Sequence, residues 1–225
     1  MPIRLLLSVA FVCLLALPAN AAPAANITAS LQQKYDTISS MEAKFSQTII
    51  HKESGAKETR TGTLYFKKPL LVRWEAEKPT KELLVVGENA IWNVFPDEEV
   101  AYKYPVSMVH DTHNIFRVIT GGSRLEQDFT VENKGMENGL VRLNLFPLEP
   151  VQSLVEAVFW VDPKTMLIQK FRITDFYGNH NDITMTSYKL DGKVAASQFA
   201  YAPEKGFMVE DRTQNNGAPR KNFLQ

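Results

Sequence analysis

From Met41 the sequence adopts a period of two. Met41, Ala43, Phe45 and Ile49 alternate with Glu42, Lys44, Ser46 and Thr48, so apolar groups line one face of an extended chain. The period returns after a polar turn over residues 53–59, in two runs joined by Lys67-Lys68-Pro69. There Leu64 and Phe66 share one parity, and so do Leu70, Val72 and Trp74. Runs at 82–86 and 90–95 follow, separated by Gly87-Glu88-Asn89. Successive strands with short turns predict an antiparallel meander.

Two segments carry a helical period instead. Over residues 26–39, Ile27, Leu31, Tyr35 and Ile38 fall on one face, with Asn26 or Thr28 as N-cap. Over 106–119, Val109, Phe116 and Ile119, with Ile115 and Val118 beside them, form a short amphipathic helix ended by Gly121-Gly122. Strands resume at 128–132, 140–146, 155–161, 168–176 and 183–188, with a last pair at 198–201 and 207–209. The count approaches eleven strands and two or three short helices. Hairpins dominate, which favours one strongly curved sheet or an incompletely closed antiparallel β-barrel over two stacked sheets. No internal repeat interrupts residues 22–225, which read as a single domain.

Residues 1–21 stand apart. Arg4 supplies a positive start, Leu5 to Leu17 an apolar stretch of 13 residues, and Ala19-Asn20-Ala21 a small-x-small cleavage site. This is the pattern of a secretory signal peptide cut after Ala21, and the stretch is too short for a permanent membrane span. The single cysteine, Cys13, lies inside it. Val12 before it argues against lipidation there, so the exported chain is expected to carry no disulfide and no thiol nucleophile. Roughly 200 residues can build a sufficient core without staples. Lys and Arg number 25 and so do Asp and Glu; loss of Arg4 leaves a formal charge near −1, which argues against nucleic acid as a partner. Asn26-Ile27-Thr28 would be a glycosylation site only in a eukaryotic secretory route.

No catalytic constellation assembles. The histidines are His51, His110, His113 and His180. His110-Asp111-Thr112-His113 places two imidazoles near one helical face, which reads either as half a metal site or as a polar helix start with a capping Asp. No HExxH, GxSxG, P-loop or GxGxxG is present, and Asp162, Asp175 and Asp182 sit beside turns, where Asp serves backbone geometry. The chain is expected to be neither an enzyme nor a cofactor protein. What stands out is apolar surface beyond simple alternation. In 83–86, 90–95 and 155–161 both parities carry large apolar groups, Trp92, Phe159 and Trp160 among them. Such strands need cover on both faces. Either helices pack over one face as a second core layer, or the curved sheet encloses an apolar cavity with helices as its lid.

Taken in order, several motifs resemble those of the periplasmic lipoprotein carriers of the LolA type, over essentially all of the chain after residue 21. Met41-Glu42-Ala43-Lys44-Phe45-Ser46-Gln47 is similar to the family's "xAxFxQ" strand. Gly62 to Pro69 resembles its "GxLxxxRP" element, with Trp74 at the family's tryptophan. Ala90 to Phe95 with Pro96 resembles "xxLWxYxP", and Phe171 to Asn179 the "xxxDxxGN" hairpin. Phe199, Pro203 and Gly206-Phe207-Met208-Val209 are similar to its "FxFxxPxGxxV" ending.

The resemblance implies a mainly β fold, an open barrel with a short-helix lid over an apolar cavity. It implies a monomeric periplasmic carrier of lipoprotein acyl chains, loaded by an ATP-driven inner-membrane complex and unloaded at an outer-membrane receptor. A carrier or sensor on the same scaffold for another lipid or glycolipid is the alternative. The expected cavity wall is Leu64, Phe66, Val72, Trp74, Val85, Trp92, Phe171 and Ile173, with Ile115, Phe116 and Ile119 from the lid. A register error would exchange that set wholesale. Val72 matches a family position near the mouth, a contact for the donor complex. Before the proline the family has an arginine that bonds lid carbonyls; here Lys68 stands there, keeping charge and donors but losing the forked geometry. Lys68 either latches the lid or merely snorkels at a strand end, and Arg73 competes for the same role.

Overall fold

The computed structural model describes residues 24–110 and 124–213. Helix α1 (Ala24–Thr37) leads into β1 (Ser40–Ile50), β2 (Lys57–Lys67), β3 (Leu71–Lys78), β4 (Glu82–Val86), β5 (Ile91–Phe95), β6 (Val100–Tyr104) and a short α2 (Ser107–His110). Then come α3 (Leu125–Asp128), β7 (Phe129–Glu137), β8 (Leu140–Pro147), β9 (Glu156–Val161), β10 (Ile168–Thr174) and β11 (His180–Leu190). A 3-10 turn at Ala196–Phe199 and β12 (Met208–Asp211) end the described chain.

All twelve strands form one sheet, ordered β12-β6-β5-β4-β3-β2-β1-β11-β10-β9-β8-β7. Two meanders are joined by the long-range β1–β11 pair, in which Met41 faces Leu190 and Ile50 faces His180. Neighbours are antiparallel throughout, except that β12 lies parallel to β6. The edges β7 and β12 do not pair with each other, so the sheet stays open.

The sheet curls around α1. Lys68, at the β2–β3 turn, bonds the Asp36 carbonyl near the end of α1, and the same helix packs on β7. In a flat sheet β2 and β7 would lie six strand spacings, about 29 Å, apart. The 14 residues of α1 reach only about 21 Å. Curling closes the gap and buries the apolar face of the helix: Leu31 and Tyr35, with Ile38 just past its end, join the concave face of the sheet in one core. Tyr35 also pins the helix. Its hydroxyl accepts a hydrogen bond from Ile168 N at 3.1 Å, while the Tyr188 hydroxyl donates to Ile168 O. Burial pushes the Tyr35 phenol up to about 12 and raises that of Tyr188 as well.

Several expectations need correction. α1 starts at Ala24, so neither Asn26 nor Thr28 is its N-cap, and Thr28 lies buried within it. Residues 57–59 belong to β2 rather than to a turn. β6 and α3 have no counterpart in the sequence reading. The proposed strand at 198–201 is 3-10 turn in its first half and irregular in its second, and β12 pairs with β6 instead of with it. Of the predicted 106–119 helix, Ser107–His110 is described; Ile115, Phe116, Ile119 and Gly121-Gly122 lie outside the described residues.

Candidate functional site

The concave face is built in rows across the strands. One row runs Met41, Phe66, Val72, Val86, Ile91 and Tyr104, each opposite the next. The next runs Ala43, Leu64, Trp74 and Leu84. Beyond β1, Ile183, Phe171, Phe159 and Leu143 continue the apolar lining. Phe45 stacks on Trp74, centroids 3.7 Å apart and planes at 24°. Gly62 makes that possible: a Cβ there would lie 2.7 Å from the Phe45 ring and 1.8 Å from Glu75 O. The structure thus brings Leu64, Phe66, Val72, Trp74, Phe171 and Ile173 together in one buried cluster with α1.

Val85 and Trp92 are on the other side. The β3–β4 register sets Trp74 against Leu84 and Arg73 against Val85, so Leu84 and Val86 carry the concave face. Val85 pairs with Trp92 on the convex face, where Tyr201 meets Trp92 edge-on at 5.3 Å and Lys103 lies 5.8 Å from its ring centre. Both parities of β4 and β5 are apolar because both faces are covered. The outer cover is the segment around Ala196–Phe199, which approaches so closely that a Cβ on Gly87 would meet Phe199 O at 2.7 Å. In β9 the doubled pattern has a different cause. Phe159 faces the core, while Trp160 lies outward beneath Lys170 and Arg142, at 4.8 and 5.8 Å.

The two candidate latch cations also part company. Lys68 Nζ donates to the carbonyl of Asp36, in the last turn of α1, where a cation also complements the helix dipole. Asp36 is a hub: its carboxylate accepts from Arg124 at 2.7 Å and from Gln32 at 3.0 Å, and Gln32 Oε1 accepts from Leu125 N at 3.1 Å. The end of α1 is therefore tied to the β2–β3 turn on one side and to α3 on the other. Arg73 faces outward, bonding Glu75 and the carbonyl of Gln198 in the C-terminal segment. Val72 is fully buried and directed inward, so no partner can touch it in this form.

One feature of the concave face escaped the sequence reading. Polar groups lie beyond the apolar rows and at the end of one of them, where Asn93 stands opposite Leu84. Gln47 Nε2 donates to Asn181 Oδ1 at 3.0 Å, and Arg60 sits directly opposite Gln47. Arg60 pairs with Glu82 at 2.5 Å and with Glu58 at 2.7 Å, and Glu82 is hydrogen-bonded to Asn93. Burial raises the Glu82 carboxyl, against the pull of Arg60. Gln47 Oε1 and Asn93 Oδ1 are buried without a hydrogen-bond partner. The signal was parity: Gln47 continues the row of Phe45, and Arg60 that of Leu64 and Phe66.

At the β10–β11 hairpin, Asp175 is buried and its carboxylate accepts from the backbone of Tyr177 and Asn179, at 2.9 and 2.8 Å, a turn-building role. Asn179 in turn accepts from Lys52 N, joining this hairpin to the β1–β2 turn. His113 and the side chain of His110 lie outside the described residues, and no group of three potential metal ligands occurs among the described ones.

Residues 36–202 match the family described as outer membrane lipoprotein carrier protein LolA. The chain belongs to the LolA family. An outer-membrane lipoprotein carrier protein of Proteus mirabilis is 27% identical over 203 residues, covering 89% of this chain and 96% of its own. One from Xanthomonas campestris is 26% identical over 197 residues, covering 85% and 93%. Among solved structures, an uncharacterized conserved protein from Thermus thermophilus shares the fold, with a TM-score of 0.55 at 14% identity over 84% of this chain and all of its own. The LolA family is one of carriers, and the open, helix-filled sheet described above is its architecture in this chain.

Proposed function

We propose that this LolA-family chain is a soluble, monomeric periplasmic carrier, exported by cleavage near Ala21, that shields lipoprotein acyl chains on its concave face. The observation that carries this reading is the form of the cover. Among the described residues, an apolar face spread over most of the sheet is covered by α1, with Leu125 of α3 and Met108 of α2 beside it. The end of α1 is held by Lys68 and Arg124 through exposed polar bonds and by a part-buried bond from Leu125 N to Gln32. Such a cover can be displaced and replaced by another apolar body.

The energetics require that replacement. Each buried methylene is worth about 0.8 kcal/mol, so leaving a long acyl chain in water costs on the order of 10 kcal/mol. Leu64, Phe66, Val72, Trp74, Phe171 and Ile173 would exchange contacts with Leu31, Tyr35 and Ile38 for contacts with the chain. The helix-covered form competes with cargo and keeps affinity below its maximum, so a receptor at the outer membrane can take the cargo over. An ATP-driven donor at the inner membrane supplies the energy of loading. Lys68 is the latch in this scheme, biasing the empty form toward closure. The test is to incubate the purified protein with spheroplasts and identify what leaves the membrane with it. Triacylated lipoproteins are expected; free lipid or glycolipid alone would move the reading to a carrier of other cargo, and nothing bound would overturn it.

A further inference from the structure

The apolar lining of the concave face is interrupted once. Along β1 the inward residues run Met41, Ala43 and Phe45, then Gln47, with Ile49 beyond it, all buried. Six residues of strand separate Met41 from Gln47, about 20 Å at 3.4 Å per residue. One leaflet of a bilayer offers its chains about 15 Å, half the hydrocarbon core. The uninterrupted apolar track before Gln47 is thus of the order of one acyl chain.

What interrupts the track is polar and charged. Asn181 of β11 bonds Gln47 of β1, and Arg60 of β2 stands opposite Gln47 in register. Arg60 reaches across β3 to Glu82 of β4, which is hydrogen-bonded to Asn93 of β5. The side chains of Arg60 and Glu82 are 17% and 16% exposed, so the ion pair is mostly withdrawn from water. A methyl terminus pushed into this belt would separate a desolvated ion pair or further bury two carboxamide oxygens that already lack donors. It would gain no apolar contact in return.

We infer that the Gln47–Arg60–Glu82–Asn93 belt is the floor of the acyl track and sets the longest chain whose every methylene is buried. This rests on the acyl-carrier reading above and adds a length limit to it. Below the limit each methylene tightens binding about fourfold; beyond it, added methylenes contribute nothing.

The test is competition of saturated fatty acids of graded length, from octanoate to eicosanoate, against a fluorescent fatty-acid analogue on the full chain without its leader. For the native protein the affinity is expected to climb and then level. In Arg60→Leu/Glu82→Leu the levelling point is expected at a longer chain, with binding about fourfold tighter than native for each carbon past the native limit. Asn93→Leu, which keeps the ion pair, provides a milder variant with a smaller shift in the same direction. Coincident length profiles for native and variants would overturn the floor while leaving the carrier reading intact, and so would a native profile that never levels. Absence of binding at every length would remove the carrier reading, and the floor with it.

Discussion

The sheet is covered on both faces, and the two covers differ in kind. On the concave side, α1 packs on β7 and α3, with Leu31 and Tyr35, and Ile38 just past its end, in the core, and its end is fixed by polar bonds from Lys68, Arg124 and the Leu125 N–H. On the convex side, the Ala196–Phe199 turn lies so close to Gly87 that no side chain fits between, with Phe199 buried and Tyr201 against Trp92. The second cover is fixed by shape and the first is held at its end by hydrogen bonds. A cover of the first kind can open without dismantling the sheet.

The largest expected effect tests the fixed cover. Phe199→Ala should cost about 3–5 kcal/mol in urea unfolding, as buried Phe truncations do, with acyl-chain affinity measured under folding conditions nearly unchanged. Gly87→Ala should cost about 1–3 kcal/mol by forcing the turn off β4, again without moving affinity. A change in affinity as large as the loss of stability, in either variant, would show that the convex cover belongs to the binding device.

On the concave side, Tyr35→Phe leaves the buried Ile168 N–H without its acceptor and should cost about 1–3 kcal/mol. It should also alter the alkaline limb. The unfolded phenol loses its proton near pH 10.0, whereas Tyr35 in the fold holds it to about 12. Its contribution is therefore complete below pH 10 and is lost as the pH rises through that interval. Stability measured from pH 9 to 12 should fall less steeply in Tyr35→Phe than in the native protein; equal slopes would exclude Tyr35 from the pinning of α1. The smallest effect on stability, under about 1 kcal/mol, is expected of Lys68→Leu, because its bond is exposed. Its signature is kinetic: slower cargo release to an acceptor, since the empty closed form loses its bias. Unchanged transfer would take Lys68 out of the mechanism.

The sequence was most legible where only one face of an element is buried. The Met41–Phe45 alternation and the Leu31, Tyr35, Ile38 stripe specified β1 and α1 because water on the opposite face leaves a readable pattern. In β4 and β5 the pattern vanishes, since Leu84 and Val85, or Ile91 and Trp92, are both apolar under different covers. Register alone decides which face is which, and Val85 and Trp92 fell on the wrong side for that reason. Phe199 and Tyr201 mimic a strand's alternation although they are packed from a 3-10 turn and the chain after it. The Arg60–Glu82 pair spans 22 residues and is assembled only by the β2–β3–β4 register, so its parity was visible but its partner was not.

The most direct test is hydrogen exchange on the purified protein, with and without a bound acyl chain. Amides of α1 are expected to lose protection when the chain binds, while those of the segment around Ala196–Phe199 and of β4 keep theirs. Unchanged protection in α1, or equal loss in both covers, would contradict the account.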